Sequence, residues 1–208
     1  MPAPNPTNLN LSFTAASLRP ELTRIIAEQY LATGDWEMAK ERILSANALQ
    51  ARTASSAVRL ERELRQRLMT LTNDQLLVLA QATAEDRAAM AWLAACKHIQ
   101  FAFEFAAEVL REKLAGHDSV LRNSDYETFV DNKSVSHPEL ARLTNSSKSK
   151  IRQVLLRMLL EAGLLGKGTA LGVIQRPILS PSALQAITTD NPRWLAGFLV
   201  PDTEIGGL

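Results

Sequence analysis

Residues 138–163 read PELARLTNSSKSKIRQVLLRMLLEAG, and this stretch decides the fold. Ile151, Val154, Leu155, Met158 and Leu159 recur at three- and four-residue steps, the period of a helix with one buried side. The pattern predicts a short helix over Pro138–Leu143, a turn at Thr144-Asn145-Ser146, and a long helix from about Ser147 to Ala162 that Gly163 ends. Lys148, Ser149, Lys150, Arg152, Gln153 and Arg157 lie elsewhere around the long helix. Leu156 and Leu160 project toward its outer side and need cover from another part of the chain or from a partner. Two helices joined by a tight turn, the second presenting donors outward, are the parts of a helix-turn-helix. Leu164-Leu165 and a glycine-rich stretch with Lys167 and Arg176 then give a winged-like layout, with at most a short β hairpin.

A similar design occurs upstream: a helix over Trp36–Ala46, a turn, and a helix over Thr53–Met69. Ala57, Leu60, Leu64, Leu68 and Leu71 make its inner stripe. At about 100° per residue, Arg52, Ser55, Arg59, Arg62 and Gln66 cluster on the opposite side. Thr53, Ser55 and Ser56 place small hydroxyls at the helix start, where they cap it and can approach phosphates. Polar residues outward are also what any solvated helix shows. The pattern gains weight because turn, hydroxyl-rich start and basic outer face occur together twice.

The rest of the chain frames these two segments. Of 208 residues, 46% are hydrophobic and 22% charged, and leucine, alanine and arginine abound, so an all-α, compact helical fold is expected. We divide it into a flexible arm (1–12), an N-terminal helical region with the first helix-turn-helix (13–72), a central acidic bundle (73–135), the winged-like helix-turn-helix (136–180) and a C-terminal tail (181–208). Pro20 opens a helix that runs to about Ala32, Thr33-Gly34 stops it, and Asp35 caps the next. Residues 74–114 read as two or three packed helices, with Trp92, Phe101, Phe105, Val109 and Leu110 as core candidates. A loop at Gly116-His117-Asp118 and a short helix over Tyr126–Val130 follow. The net charge of +1 hides segregation. Gln50–Thr70 has five arginines against two glutamates, and Ser136–Arg176 has seven basic against two acidic residues. Between them, Thr72–Asp131 has ten acidic against five basic residues. Basic segments flanking an acidic middle speak to polyanionic partners.

The chemistry of an enzyme is missing. His98, His117 and His137 are scattered, and Cys96, the single cysteine, stands two residues from His98 on a helix, so no metal-ligand spacing exists. No phosphate loop or dinucleotide fingerprint appears, so no cofactor is expected. Asp131-Asn132-Lys133, with Asp125 upstream, is a faint echo of a nuclease core, but that core sits on strands. The most apolar stretch, Ala88–Leu110, carries Lys97, Glu104 and Glu108, too much charge for a membrane span. Residues 1–6 lack the basic and apolar regions of a signal peptide, and the expected location is cytoplasmic.

Several blocks in order resemble the BrxA family of the BREX phage-exclusion systems. They are Leu11-Ser12-Phe13-Thr14-Ala15, Tyr30-Leu31-Ala32-Thr33-Gly34-Asp35-Trp36, Leu49 through Ala57, Trp92-Leu93-Ala94, and Glu108 through Lys113. The best match is His137-Pro138-Glu139-Leu140 with Arg152-Gln153-Val154-Leu155, Arg157-Met158-Leu159 and Glu161-Ala162-Gly163-Leu164-Leu165. Ile99-Gln100 departs from the aromatic–proline pair of the family, which bears on a helix boundary. The resemblance covers roughly residues 11–180. It implies a small accessory protein of a multi-gene defence system that marks host DNA by methylation and blocks phage DNA replication. It also implies an all-helical fold with two helix-turn-helix motifs and double-stranded DNA as ligand, the methyltransferase and ATPase belonging to other subunits. The expected protein is therefore a non-enzymatic duplex-DNA binder. Its contacts are Arg52, Ser55, Arg59, Arg62, Gln66, Lys148, Ser149, Lys150, Arg152, Gln153, Arg157 and Lys167, and its other partners are defence subunits, with no membrane contact. The alternative is an adaptor that uses the same helices against protein subunits. RNA binding fits less well, because neither basic segment contains an aromatic residue on which bases would stack.

Overall fold

A computed structural model describes residues 9, 11–166, 168 and 170–207. The first helix, α1 (Pro20–Thr33), starts with proline at its first turn and ends at Gly34, whose φ of 68° gives the left-handed cap that glycine adopts without strain. Asp35 caps α2 (Trp36–Ser45) by accepting from the Met38 N–H at 2.8 Å. α3 (Ala54–Leu68) opens with a capping box: Thr53 Oγ1 accepts from the Ser56 N–H at 3.1 Å, and Ser56 Oγ accepts from the Thr53 N–H at 3.2 Å. The connection between α2 and α3 spans residues 46–53, longer than the tight turn expected there. It is shaped by Asn47 and Gln50, both at positive φ, and by Asn47 bonding to both the N–H and the carbonyl of Ala51.

The middle of the chain holds α4 (Asn73–Gln81), α5 (Ala84–His98) and α6 (Gln100–Glu104), which runs through a π-helical turn at Phe105–Leu110 into α7 (Arg111–Ala115). α5 is buried along most of its length, with Trp92 fully enclosed and its indole N–H donating to the Gly197 carbonyl at 2.8 Å. The boundary at Ile99-Gln100 forms without a proline: Ile99 leaves helical geometry at φ −120°, ψ 86°. Phe101 and Phe105 meet Phe129 edge-on at 5.2 and 5.1 Å between ring centres, which places the next helix against this core. That helix, α8 (Asn123–Ser136), is far longer than the Tyr126–Val130 segment expected. Only Tyr126 and Phe129 on it are buried, so periodicity marks just its centre.

The carboxy-terminal third begins with β1 (Val120–Leu121), which precedes α8. α9 (Pro138–Ala141), a three-residue connection and α10 (Asn145–Glu161) follow, then β2 (Leu165–Gly166) and β3 (Gly172–Ile174). α10 begins two residues earlier than expected, because Thr144 is its cap, accepting from the Ser147 N–H at 3.2 Å. The expected hairpin of β2 and β3 gains a third strand, giving the antiparallel order β1-β3-β2 with Val120 opposite Val173 and Leu165 opposite Ile174. At two residues, β1 is too short to show alternation. α11 (Pro181–Asp190), a 3-10 turn (Pro192–Phe198) and α12 (Asp202–Ile205) close the chain, with Leu195 and Phe198 in the core. The molecule is thus predominantly helical with one small sheet. No helix among the described residues is long and apolar enough to cross a membrane.

One buried carboxylate stands out. Glu61 on α3 is 1% exposed, accepts from Arg65 at 2.7 Å through one oxygen, and leaves the other without a hydrogen-bond partner. Burial pushes its pKa up, against the pull of Arg65. A carboxyl whose folded pKa is raised stabilises the fold at low pH, and that contribution is lost as pH rises through the folded pKa. Glu61→Gln is therefore expected to lessen the loss of thermal stability between pH 5 and pH 8, measured by circular dichroism melts across that range. A variant whose melting curve follows the parent's pH profile contradicts this.

Candidate nucleic-acid interface

On α3, Ala57, Leu64 and Leu68 are buried and Leu60 packs against the core, so the helix is fixed in rotation. That rotation leaves Ser55, Arg59, Arg62 and Gln66 exposed, with Arg52 exposed just before the helix. The other two arginines of this basic segment are spent on structure. Arg65 bridges Glu61 at 2.7 Å and Glu37 at 3.4 Å. Arg67 is 1% exposed and donates to the carbonyls of Phe13, Ala16 and Ser17 at 3.2, 2.8 and 2.8 Å and to Glu63 at 2.7 Å.

On α10, Ile151, Val154, Leu155, Met158 and Leu159 are buried, and the polar residues divide between two sides. Ser146, Ser147 and Lys150 face α3 across a groove of about 800 Å³ that Arg59, Arg62 and Glu63 line from the other side. Leu11, Ser12, Thr14 and Ala15 form a further wall, and Leu143 and Ile151 complete the lining. The one carboxylate in the groove, Glu63, is held by Arg67. Lys148, Ser149 and Arg152 instead line a second hollow of about 470 Å³ beside α8, with Tyr126, Glu127 and Asp131. There Arg152 donates to Asn123 at 3.2 Å, and burial raises the Tyr126 phenol to about 12. Lys150 reaches the exposed Gln153 at 3.3 Å. Arg157 pairs with Glu161 at 3.0 Å. Lys167 lies outside the described residues. Leu156 is packed against the core, whereas Leu160 stays 42% exposed.

The charge pairing is uneven across the molecule. Arg24, Arg87, Arg111, Lys113, Arg122 and Lys133 all pair with carboxylates. Near β1, for instance, Lys113 and Arg122 both donate to Asp118 at 2.7 Å and hold its carboxyl well below the usual range. Arg52, Arg59, Arg62, Lys148 and Lys150 make no ion pair among the described residues, nor do Arg19, Arg42, Arg142, Arg152 and Arg193. Of these, Arg59, Arg62 and Lys150 meet in the groove. The groove hydroxyls of Ser12, Thr14, Ser146 and Ser147 escape periodicity, since Ser12 lies in the segment read as an arm, Thr14 just past it before the first helix, and the two others in the stretch read as the turn and the first residue of the long helix.

Among the described residues, no group of three or more His, Cys, Asp or Glu is placed to hold a metal ion. Asp125, Asp131 and Lys133 stand on a helix, and Lys133 is engaged by Glu104 and Glu108, both at 2.8 Å.

Similarity to known proteins follows the same stretch of chain. The profile of the BrxA family matches residues 8–191. A BREX protein BrxA of Escherichia coli O9:H4 (strain HS) is 30% identical over 141 residues, 68% of this chain and 66% of that one, so the match spans just under two thirds of the relative's length. A BREX protein BrxA of Bacillus cereus (strain H3081.97) is 27% identical over 148 residues, 71% of this chain and 74% of that one. In fold, a crystal structure of an uncharacterized protein from Magnetospirillum magneticum superposes with a TM-score of 0.81 over 93% of this chain and 98% of that one, at 18% identity. With a family profile running through α1 to α11 and two relatives of the same description, the chain belongs to the BrxA family.

Proposed function

We propose that this protein is a non-enzymatic accessory of a BREX-type phage-defence system and that it binds double-stranded DNA through α3 and the amino-terminal half of α10. The observation that carries the reading is the groove in which Arg59, Arg62 and Lys150, none paired with a carboxylate, face one another among hydroxyl side chains. Cations left without internal partners are available to displace counterions from a phosphate backbone, and hydroxyls beside them add phosphate contacts. The connectivity of the carboxy-terminal third supports the same reading. α9, a three-residue turn, α10 and the β2–β3 hairpin follow in the order of a winged helix-turn-helix, with β1 completing the small sheet. The α2–α3 unit carries the second outward arginine cluster, although its eight-residue connection is not the tight turn of that motif.

The division of α10 sharpens the expectation. Lys150 shares the groove with Arg59 and Arg62, whereas Lys148 faces the hollow that holds Glu127 and Asp131. Lys150→Ala is expected to weaken binding to duplexes of any sequence by a few-fold and to lower the salt slope by about one. Lys148→Ala is expected to do less, because neighbouring carboxylates already repel phosphate. Fluorescence anisotropy with a labelled duplex tests this at two salt concentrations. Unchanged affinity in both variants, with retained binding to other defence subunits, favours the adaptor reading instead. Addition of magnesium should leave the duplex uncut, and cleavage abolished by Asp131→Ala would overturn the non-enzymatic assignment.

A further inference from the structure

We propose that Leu9 and residues 11–19 form a strap that sets the spacing between α3 and α10, with Arg67 and Glu161 as its clamps, so that both cationic surfaces meet one duplex as a rigid pair. The proposal rests on the duplex-binding reading above. Its described residues form no helix or strand, yet Leu9, Phe13, Ala16 and Leu18 are buried, and Phe13 stands 6.4 Å from Phe101 between ring centres. It is tied to three elements. The Leu9 N–H donates to Glu139 on α9 at 2.9 Å. Arg67 of α3 takes up the carbonyls of Phe13, Ala16 and Ser17. At the far end of α10, Glu161 accepts from Ser17 Oγ at 2.9 Å and from the N–H groups of Leu18 and Arg19 at 2.8 and 3.3 Å. Arg19 stands at φ 51°, a left-handed conformation that costs a non-glycine residue energy and persists where its surroundings enforce it. Between the Leu9 anchor and Ala16, the residues Leu11, Ser12, Thr14 and Ala15 form one wall of the groove itself.

Two binding surfaces held at a fixed spacing reinforce each other, because engagement of one presents the other at high effective concentration. Glu161 separates this role from plain electrostatics by sign. Glu161→Ala removes a negative charge beside Arg157, so a count of charges predicts tighter duplex binding, whereas loss of the clamp predicts weaker binding.

The test uses the full chain with nitroxide labels at Val58→Cys on α3 and Gln153→Cys on α10, both exposed, Cys96 being buried. Pulsed electron resonance reads the distance between them, and anisotropy on the unlabelled chain, with Val58 and Gln153 intact, reads duplex affinity. The strap predicts a narrow distance distribution that broadens in Glu161→Ala, with affinity weakened on the order of tenfold despite the added positive charge. Glu161→Gln, which keeps an acceptor oxygen, should stay closer to the parent in both readouts. Glu139→Ala cuts the other anchor and gives the same comparison if Glu161→Ala does not fold. An unchanged distribution overturns the strap. A broadened distribution with affinity equal to or tighter than the parent's overturns its role in duplex binding. If the unsubstituted chain binds no duplex, the functional reading falls and that role falls with it, while the distances still decide whether the strap sets the spacing.

Discussion

Replacing Arg59 and Arg62 together with alanine is expected to weaken duplex DNA binding on the order of tenfold or more at moderate salt, while the fold survives. Both side chains are exposed, off the buried stripe of Ala57, Leu64 and Leu68, and without a carboxylate partner among the described residues. Removing them therefore leaves no buried group unsatisfied, and surface substitutions of this kind change stability by only about 0.5 kcal/mol. What changes is the phosphate-facing charge. Each lost contact should lower the dependence of log affinity on log salt by about one, so the slope should fall by about two. The loss should be similar for duplexes of unrelated sequence, because phosphate contacts carry no base information. Anisotropy titrations with two unrelated duplexes, alongside a thermal melt, check all three statements. Parent-like binding in this double variant would place the ligand elsewhere and leave α3 as a solvated or protein-facing helix.

Arg67→Met has the opposite profile: a large loss of stability from a residue that never touches ligand. The guanidinium is 1% exposed and serves three backbone carbonyls and Glu63. Burial alone lowers its pKa, so the charge is held there by these partners and not by solvent. Methionine fills much of the volume but leaves the carbonyls without their shared donor and Glu63 without its cation. Breaking a buried pair from one side typically costs about 3–5 kcal/mol, which for a chain of this size lowers the melting temperature by about 10 °C. Differential scanning calorimetry reads the shift directly. A shift below about 2 °C would mean that the segment Phe13–Ser17 is held by its apolar contacts alone.

How much of this was legible in the sequence depends on what each residue's neighbours are. The stripes of α3 and α10 were plain, since burial of one side imposes a three- and four-residue rhythm whatever lies opposite. The caps at Asp35 and Thr53 and the stops at Gly34 and Gly163 were plain for the same reason: they answer to local backbone needs. α8 was mostly hidden, because between Asn123 and Ser136 only Tyr126 and Phe129 are buried and the rest is short polar side chains that favour turns as readily as helix. β1 was hidden because two residues of strand derive their order from Val173 and Gly172, some fifty positions away.

The candidate site shows the same division. The outward positions of Arg52, Arg59, Arg62 and Gln66 follow from helical geometry once the stripe is known. The roles of Arg67, Arg157 and the segment before Arg19 do not, because they depend on what packs over the helix. Arg67 still carried a signal: it stands three residues after Leu64, on the buried side, where a solvated arginine has no place. In the arm expected over residues 1–12, Leu9 is buried and its N–H bonds Glu139, a contact that only the folded chain reveals. Beyond the family profile, the tail that holds Trp194 and Phe198 was expected to add one small helix, and within it Gly197 supplies the acceptor for the fully buried Trp92.

The central claim is that the groove cations grip phosphate, and a titration of the unsubstituted protein with duplex DNA at about 50 and about 200 mM salt tests it most directly. With Arg59, Arg62 and Lys150 all on phosphates, log affinity should fall against log salt with a slope of about −2.7 or steeper, a loss of about 40-fold or more across that range. No measurable duplex binding at the lower salt, or an affinity that changes by less than about twofold between the two, would contradict the account.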